Sequence, residues 1–250
     1  MYHHVGTNPN PVFRTEEGFL KDLTRLEKLG FRPVTIAEYL AGCPYLQAGA
    51  SPVVFTFDDS NPDQLRLLPD GEVDPHCFMG LWLEFAKTHP DFPPKATFFV
   101  IPSSFFGQRP LWDKKLALLQ SWGCQIANHT ITHPDFRRIS DARVEREIAL
   151  CDAWLEAHGA GRDAPLALPY GEKPHNRELL RGFEYKGRDV HPVAVLNVGS
   201  NPARMPGQPG FDPLNLPRIQ AGEHRYELDY WLDRAETGKT HSYVAPAPGP

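Results

Sequence analysis

Val53-Val54-Phe55-Thr56-Phe57-Asp58-Asp59-Ser60 is the stretch on which the reading of this 250-residue chain turns. Five apolar or β-branched residues in a row after Pro52 predict a strand buried on both faces, the habit of parallel strands covered by helices. The strand ends in two adjacent carboxylates. Two charges at the end of a buried strand are costly unless paired, protonated or bound to a cation, and α/β sheets bind ligands at the carboxyl ends of their strands. An Asp there also serves as a plain helix N-cap. The pair alone does not choose between capping and chemistry.

Outward from this stretch, strand and helix patterns alternate. Thr15 opens a helix with Phe19, Leu23, Leu26 and Leu29 at helical spacing, and Gly30 closes it. Residues 31–34 are strand-like, and Thr35-Ile36-Ala37-Glu38 is a capping box that starts a second helix. After the Asp-Asp strand comes a long proline-bearing connection, 60–95, with a helix over 77–86; a connection of this length is expected to be functional. Further strands are expected at 96–101, 124–127, 166–170 and 193–197, with Arg218-Ile219 the last. Helices are expected over 111–122, from Ser140 to Gly159, and over 226–235. This alternation, without internal repeats, predicts one α/β domain over 1–243, and functional-looking residues at several strand ends favour a barrel. The proline-rich 244–250 reads as an extended tail or linker.

A net charge of -5 offers no electrostatic footprint for nucleic acid or anionic lipid. No apolar run approaches the length of about 18 residues that a membrane span needs. The opening Met1-Tyr2-His3-His4-Val5 lacks the basic-then-apolar order of a signal peptide and looks like the inside of a strand. The chain is therefore expected to begin part-way into a longer protein whose signal lies outside it. Cys43, Cys77, Cys124 and Cys151 are too widely spaced for a structural zinc site or a disulfide framework and are expected to pack.

His129 and His133, four apart and directly after a strand, put two imidazoles on one side of a turn where both can reach one metal ion. Eleven histidines make a chance HxxxH unremarkable, so the pair gains weight only beside the carboxylates. Two His and one Asp leave an open position for water, as in a catalytic zinc site, and free the second Asp to act as a base.

Phe55-Thr-Phe-Asp-Asp59, Ala96-Thr-Phe-Phe-Val100, Asn128-His-Thr-Ile-Thr-His133 and Leu168-Pro-Tyr-Gly171 together resemble the polysaccharide deacetylases of carbohydrate esterase family 4, whose motifs TFDD, H[ST]xxH and RxPY occur in this order. The resemblance implies a distorted (β/α) barrel, a divalent metal, most often Zn2+, and removal of acetyl groups from a polysaccharide. It assigns Asp58 as general base and Asp59, His129 and His133 as metal ligands, with the backbone N–H of Tyr170 as oxyanion donor. Two departures stand out. Ala167 occupies the place of the motif arginine that holds the base, with Arg218 as candidate substitute. No late leucine-x-histidine motif supplies the acid. A permuted branch, which includes deacetylases of biofilm poly-N-acetylglucosamine, carries that histidine on a first strand reading YH, and Tyr2-His3 resembles it. His3 is thus the expected acid, across the barrel from Asp58, with His4 as fallback; His224 and His241 are expected to be surface residues. The expected partner is an acetylated, N-acetylglucosamine-containing polymer, met by a monomer that is secreted or held at the cell surface. The competing readings are a hydrolase of a small amide or ester, a non-catalytic sugar-binding protein, and a non-haem iron oxygenase, which shares the two-His, one-carboxylate set.

Overall fold

In the computed structural model, which describes residues 1–247, the chain runs β1 (His4–Val5), β2 (Phe13–Arg14), α1 (Glu16–Lys28), β3 (Phe31–Pro33), α2 (Ile36–Leu40), β4 (Ser51–Val53), β5 (Thr56–Phe57), α3 (Phe78–Ala86), β6 (Thr97–Val100), α4 (Trp112–Ser121), β7 (Gln125–Asn128), α5 (Asp141–Ala157), β8 (Leu166–Ala167), β9 (Phe183–Tyr185), β10 (Arg188–Val190), β11 (Val195–Leu196) and α6 (Leu228–Glu236). Five strands form a parallel sheet in the order β11-β8-β7-β6-β5. Both of its edges continue as bridges: Tyr2 pairs in parallel with Phe57, and Leu216 with Leu196. The two flanks then meet, because Ala221 N–H donates to Met1 O at 3.0 Å and the Met1 nitrogen donates to Ile219 O at 2.8 Å. The result is a closed but uneven ring, a distorted α/β barrel.

Several expected strands are shorter than their apolar runs. The 53–57 run is not one strand: Ser51–Val53 pairs with Phe31–Pro33, while Thr56–Phe57 pairs with Thr97 and Phe98. Val53 and Val54 are half-buried, so burial on both faces begins only at Phe55. The 166–170 strand stops at Ala167, where Pro169, which has no N–H to donate, and Tyr170, at φ 58°, turn the chain into a 3-10 turn. Arg218-Ile219 is not a regular strand, although the bridge at Leu216 lies beside it. Thr35 and Glu38 do form the capping box, whereas the side chain of Ser140, at the N-cap of α5, makes no capping bond. An unanticipated hairpin joins β9 to β10 through Lys186 and Gly187, both at positive φ, as a two-residue hairpin turn requires.

The largest core cluster is aromatic. Tyr2, Phe19, Phe55, Phe57, Phe78, Trp82, Phe92 and Phe98 pack under the first half of the sheet, with the Phe57 and Phe98 rings stacked at 4.8 Å. All four cysteines are free and buried. At the end of the described chain, Ala245 exchanges backbone hydrogen bonds with Ala50 at 2.8 Å and Gly49 at 3.0 Å. Of the expected tail, residues 248–250 lie outside the described residues. Among the described residues no helix is long and apolar enough to cross a membrane.

Candidate metal centre

Consecutive residues of a strand point to opposite faces, so Asp58 and Asp59 can serve one site only if the backbone turns between them. It does: Asp59 and Ser60 both adopt positive φ, at 72° and 48°. That conformation is uncommon for residues other than glycine and persists where neighbours over-determine it. Here the Ser60 hydroxyl accepts the Ile101 N–H at 3.1 Å and the Ser60 carbonyl accepts the Phe106 N–H at 2.8 Å. As a result both carboxylates approach one imidazole. His129 Nε2 lies 3.3 Å from Asp59 Oδ1 and 3.8 Å from Asp58 Oδ2.

β7 delivers His129, whose Nδ1–H donates to the Ala167 carbonyl at 3.0 Å. A carbonyl can only accept, so in the uncharged ring Nε2 is the nitrogen left free to ligate a metal. His133 Nε2 is 3.4 Å from the same Asp59 oxygen. Burial, and then the neighbouring His129, hold the His133 pKa below its ordinary value, which favours the uncharged form a metal needs. The ligand atoms of Asp59, His129 and His133 all lie within 4.8 Å of one another. One carboxylate with two imidazoles is a donor set that fits a divalent cation and leaves a position open. For Asp59, burial raises the carboxyl pKa, but the adjacent His129 ring outweighs it and the net shift is downward.

Asp58 is gripped differently. Arg218 Nη1 donates to Oδ1 at 2.6 Å and Nη2 to Oδ2 at 2.8 Å, a bidentate pair, and Nε donates to the Asn197 carbonyl at 3.2 Å. The guanidinium also lies over the Phe99 ring, 5.3 Å from its centroid. Burial alone would push the Asp58 carboxyl up, but Arg218 and then His129 hold it well below the carboxylate range. The structure thus brings Arg218 to the carboxylate that the residue at 167 cannot reach. Gln64, which carries no motif, is fully buried and donates from Nε2 to both the His3 carbonyl, at 2.8 Å, and the Asp58 carbonyl. No spacing or periodicity in the sequence marks it.

His3 does reach the site, but not from across the barrel. Its Nε2 is 4.0 Å from Asp58 Oδ2. The Tyr2–Phe57 bridge sets His3 directly beside Asp58, which corrects the expectation of an opposite wall. Burial lowers the His3 pKa while Asp58 and Asp59 pull it upward, and the net shift is downward. The His4 ring is engaged elsewhere, with Asp63 at 2.9 Å and stacked on Phe13 at 4.5 Å. His224 and His241 are exposed. Tyr170 sits at the rim with its ring 65% exposed and centred 4.7 Å from that of His133. Its N–H has no hydrogen-bond partner among the described residues.

This arrangement can be set beside known proteins. A chitooligosaccharide deacetylase from Sinorhizobium fredii is 30% identical over 145 residues, 56% of this chain and 52% of that protein. The chain thus spans about half the length of this curated relative. Among solved structures, Streptococcus pyogenes deacetylase PplD in complex with acetate superposes with TM-score 0.63 at 19% identity, covering 93% of this chain and 95% of that one. IcaB from Ammonifex degensii superposes with TM-score 0.64 at 20% identity, covering 94% of each chain. These likenesses speak for the fold alone. The polysaccharide deacetylase family model matches residues 47–187, more than half of the chain, a span that holds Asp58, Asp59, His129, His133 and Tyr170. On that match, the chain belongs to the polysaccharide deacetylase family.

Proposed function

We propose that the chain is a metal-dependent hydrolase that removes N-acetyl groups from an N-acetylglucosamine-containing polysaccharide, with zinc held by Asp59, His129 and His133. The observation that carries this reading is the close-set trio of ligands beside an ionised, arginine-clamped carboxylate. When bound, the cation supplies Lewis acidity, lowering the pKa of a coordinated water towards about 7 and polarising the acetyl carbonyl. Asp58 accepts a proton from the attacking water; its Oδ2 faces His3 and His129, and Arg218 fixes its orientation. The Tyr170 N–H, on the residue whose ring lies against His133, is the donor we assign to the developing oxyanion. An amine cannot depart as an anion, so His3 hands it a proton. At 4.0 Å from Asp58 Oδ2, the His3 Nε2 is out of direct hydrogen-bond reach, so one bridging water would relay the proton from Asp58 to His3 and on to the amine. The substrate class supports a place outside the cell or at its surface.

The test is acetate release from a panel of N-acetylglucosamine oligomers, O-acetylated glycans and small acetamides, with and without added zinc. Release from the oligomers is expected to be fastest. Preference for the small acetamides would point to a different hydrolase on this fold, and no release with measurable glycan binding would point to a binding protein.

His3→Ala provides a separate check on the acid. It is expected to slow an acetamide substrate far more than an activated aryl acetate, whose phenolate leaves without a proton. Equal slowing of both would remove His3 from this role.

A further inference from the structure

The loop that carries the two histidine ligands is held in an unusual shape. Thr130 and His133 both sit at positive φ, 67° and 54°. Thr130 is β-branched, a type for which that region is a true outlier. The loop's internal bonds are few: the Thr130 hydroxyl accepts the His133 N–H at 2.9 Å, and Asn128 Oδ1 accepts the Thr130 N–H at 2.8 Å. From outside, Ser103 Oγ donates to the Ile131 carbonyl at 3.4 Å and the His129 N–H to the Val100 carbonyl at 3.2 Å, but most of the side-chain anchoring comes from α5. Asn128 Nδ2 donates to the Ile148 carbonyl at 3.0 Å. Glu147, next to Ile148 and fully buried, accepts the Thr132 N–H at 2.8 Å on Oε2 and the Thr132 hydroxyl at 2.9 Å on Oε1.

A fully buried carboxylate is costly unless each oxygen is paired. Arg143 Nε donates to Oε1 at 2.7 Å, one turn away on the same helix, and Arg143 Nη2 also reaches the Thr132 hydroxyl at 3.2 Å. Apart from that arginine, the hydrogen-bond partners of Glu147 all belong to the residue preceding His133. A carboxylate that served only α5 would bond within α5 or to solvent. This one pairs with Arg143 and, at 3.8 Å, with Arg146 on its own helix, yet both of its oxygens also bond the ligand loop.

We propose that Glu147 is a positioning residue for the metal centre, pinning Thr132 so that His133 meets His129 and Asp59 in ligating geometry before any metal arrives. The proposal rests on the reading of those three residues as metal ligands. Outer partners that orient ligands typically govern metal affinity by about 10- to 100-fold. Glu147→Gln keeps the size of the side chain but gives up one of the two acceptors, so either the Thr132 N–H or the donors at Oε1 lose their partner.

The experiment is a zinc titration of metal-free protein in competition with a chromophoric chelator. Glu147→Gln is expected to bind zinc about 10- to 100-fold more weakly than wild type. Asp152→Asn, which loosens a second buried carboxylate of α5 tied to Arg188 and the Ala164 N–H, is expected to lower the melting temperature and leave zinc affinity unchanged. Thr132→Val, at an exposed position, removes only the hydroxyl link and is expected to weaken zinc several-fold; it gives the answer if Glu147→Gln does not fold. Affinity within about twofold of wild type in both Glu147→Gln and Thr132→Val would overturn the proposal. An equal loss in Asp152→Asn would overturn it too, by showing that any loosening of α5 suffices. Zinc binding undiminished in Asp59→Asn would instead strike at the ligand assignment itself, and the proposal would fall with it.

Discussion

Asp58→Asn is expected to lower acetate release per folded molecule by about 10²- to 10⁴-fold, the range a positioned general base contributes. An amide cannot take up the proton of the attacking water, and no other carboxylate shares the position, since Asp59 is turned towards both histidines. The substitution also leaves Arg218 facing a neutral group with a single acceptor in place of two. A stability loss of about 1–3 kcal/mol is therefore expected as well, and rates should be normalised to folded protein by circular dichroism. A rate within tenfold of wild type would show that another group serves as the base.

Arg218→Met is the second large effect. Arg218 and Asp58 are both buried, and removing one partner of a buried pair strands the other charge at a cost of about 3–5 kcal/mol. Part of that cost is relieved by protonation of Asp58, which gives the variant a distinct pH signature. In wild type the Asp58 pKa is depressed, so its contribution to stability is fully present above the unfolded carboxyl value of about 3.9 and is lost as pH falls through the folded pKa. In the variant burial remains while the main opposing charge is gone, so the folded pKa rises. Once it exceeds the unfolded value the sign reverses, and stability falls as pH climbs between the two. The acid limb of kcat/KM should move to higher pH in parallel, because the base must be ionised to work. Melting curves and rate profiles from pH 4 to pH 8 would show both; an unshifted acid limb would mean that Arg218 does not set the charge state of the base.

The residues that carry chemistry were legible where the sequence places them side by side. The Asp58-Asp59 pair at a strand end and the His129–His133 spacing each announce a possible ligand set, and the structure brings Asp59, His129 and His133 together. What spacing does not reveal is how consecutive carboxylates come to share a site. That depends on the positive φ of Asp59 and Ser60, stabilised by contacts to Ile101 and Phe106 some forty residues on. Arg218 could be named as a candidate because Ala167 left a vacancy, but its bidentate grip is a contact between residues 160 positions apart. Gln64 and Glu147 carry no motif, and their importance lies wholly in what they touch.

The fold shows the same division. Alternating apolar runs and capping signals mark the barrel's elements, yet a run such as 53–57 does not say that its first part pairs with β3 and its last with β6. Short strands at a curled sheet are defined by their neighbours. The β9–β10 hairpin did leave a local trace, Lys186-Gly187 between strand-forming residues, but flanking polar residues such as Glu184 and Asp189 hid the alternation that would have exposed it.

Metal-dependent deacetylation built on Asp59, His129 and His133 is tested by stripping wild-type protein with a chelator and following acetate release from an N-acetylglucosamine oligomer as zinc is returned. Activity is expected to fall to background in the stripped protein and to recover fully at one equivalent of zinc. Acetate release that persists undiminished after the metal is removed, or that never appears with any divalent metal, would contradict it.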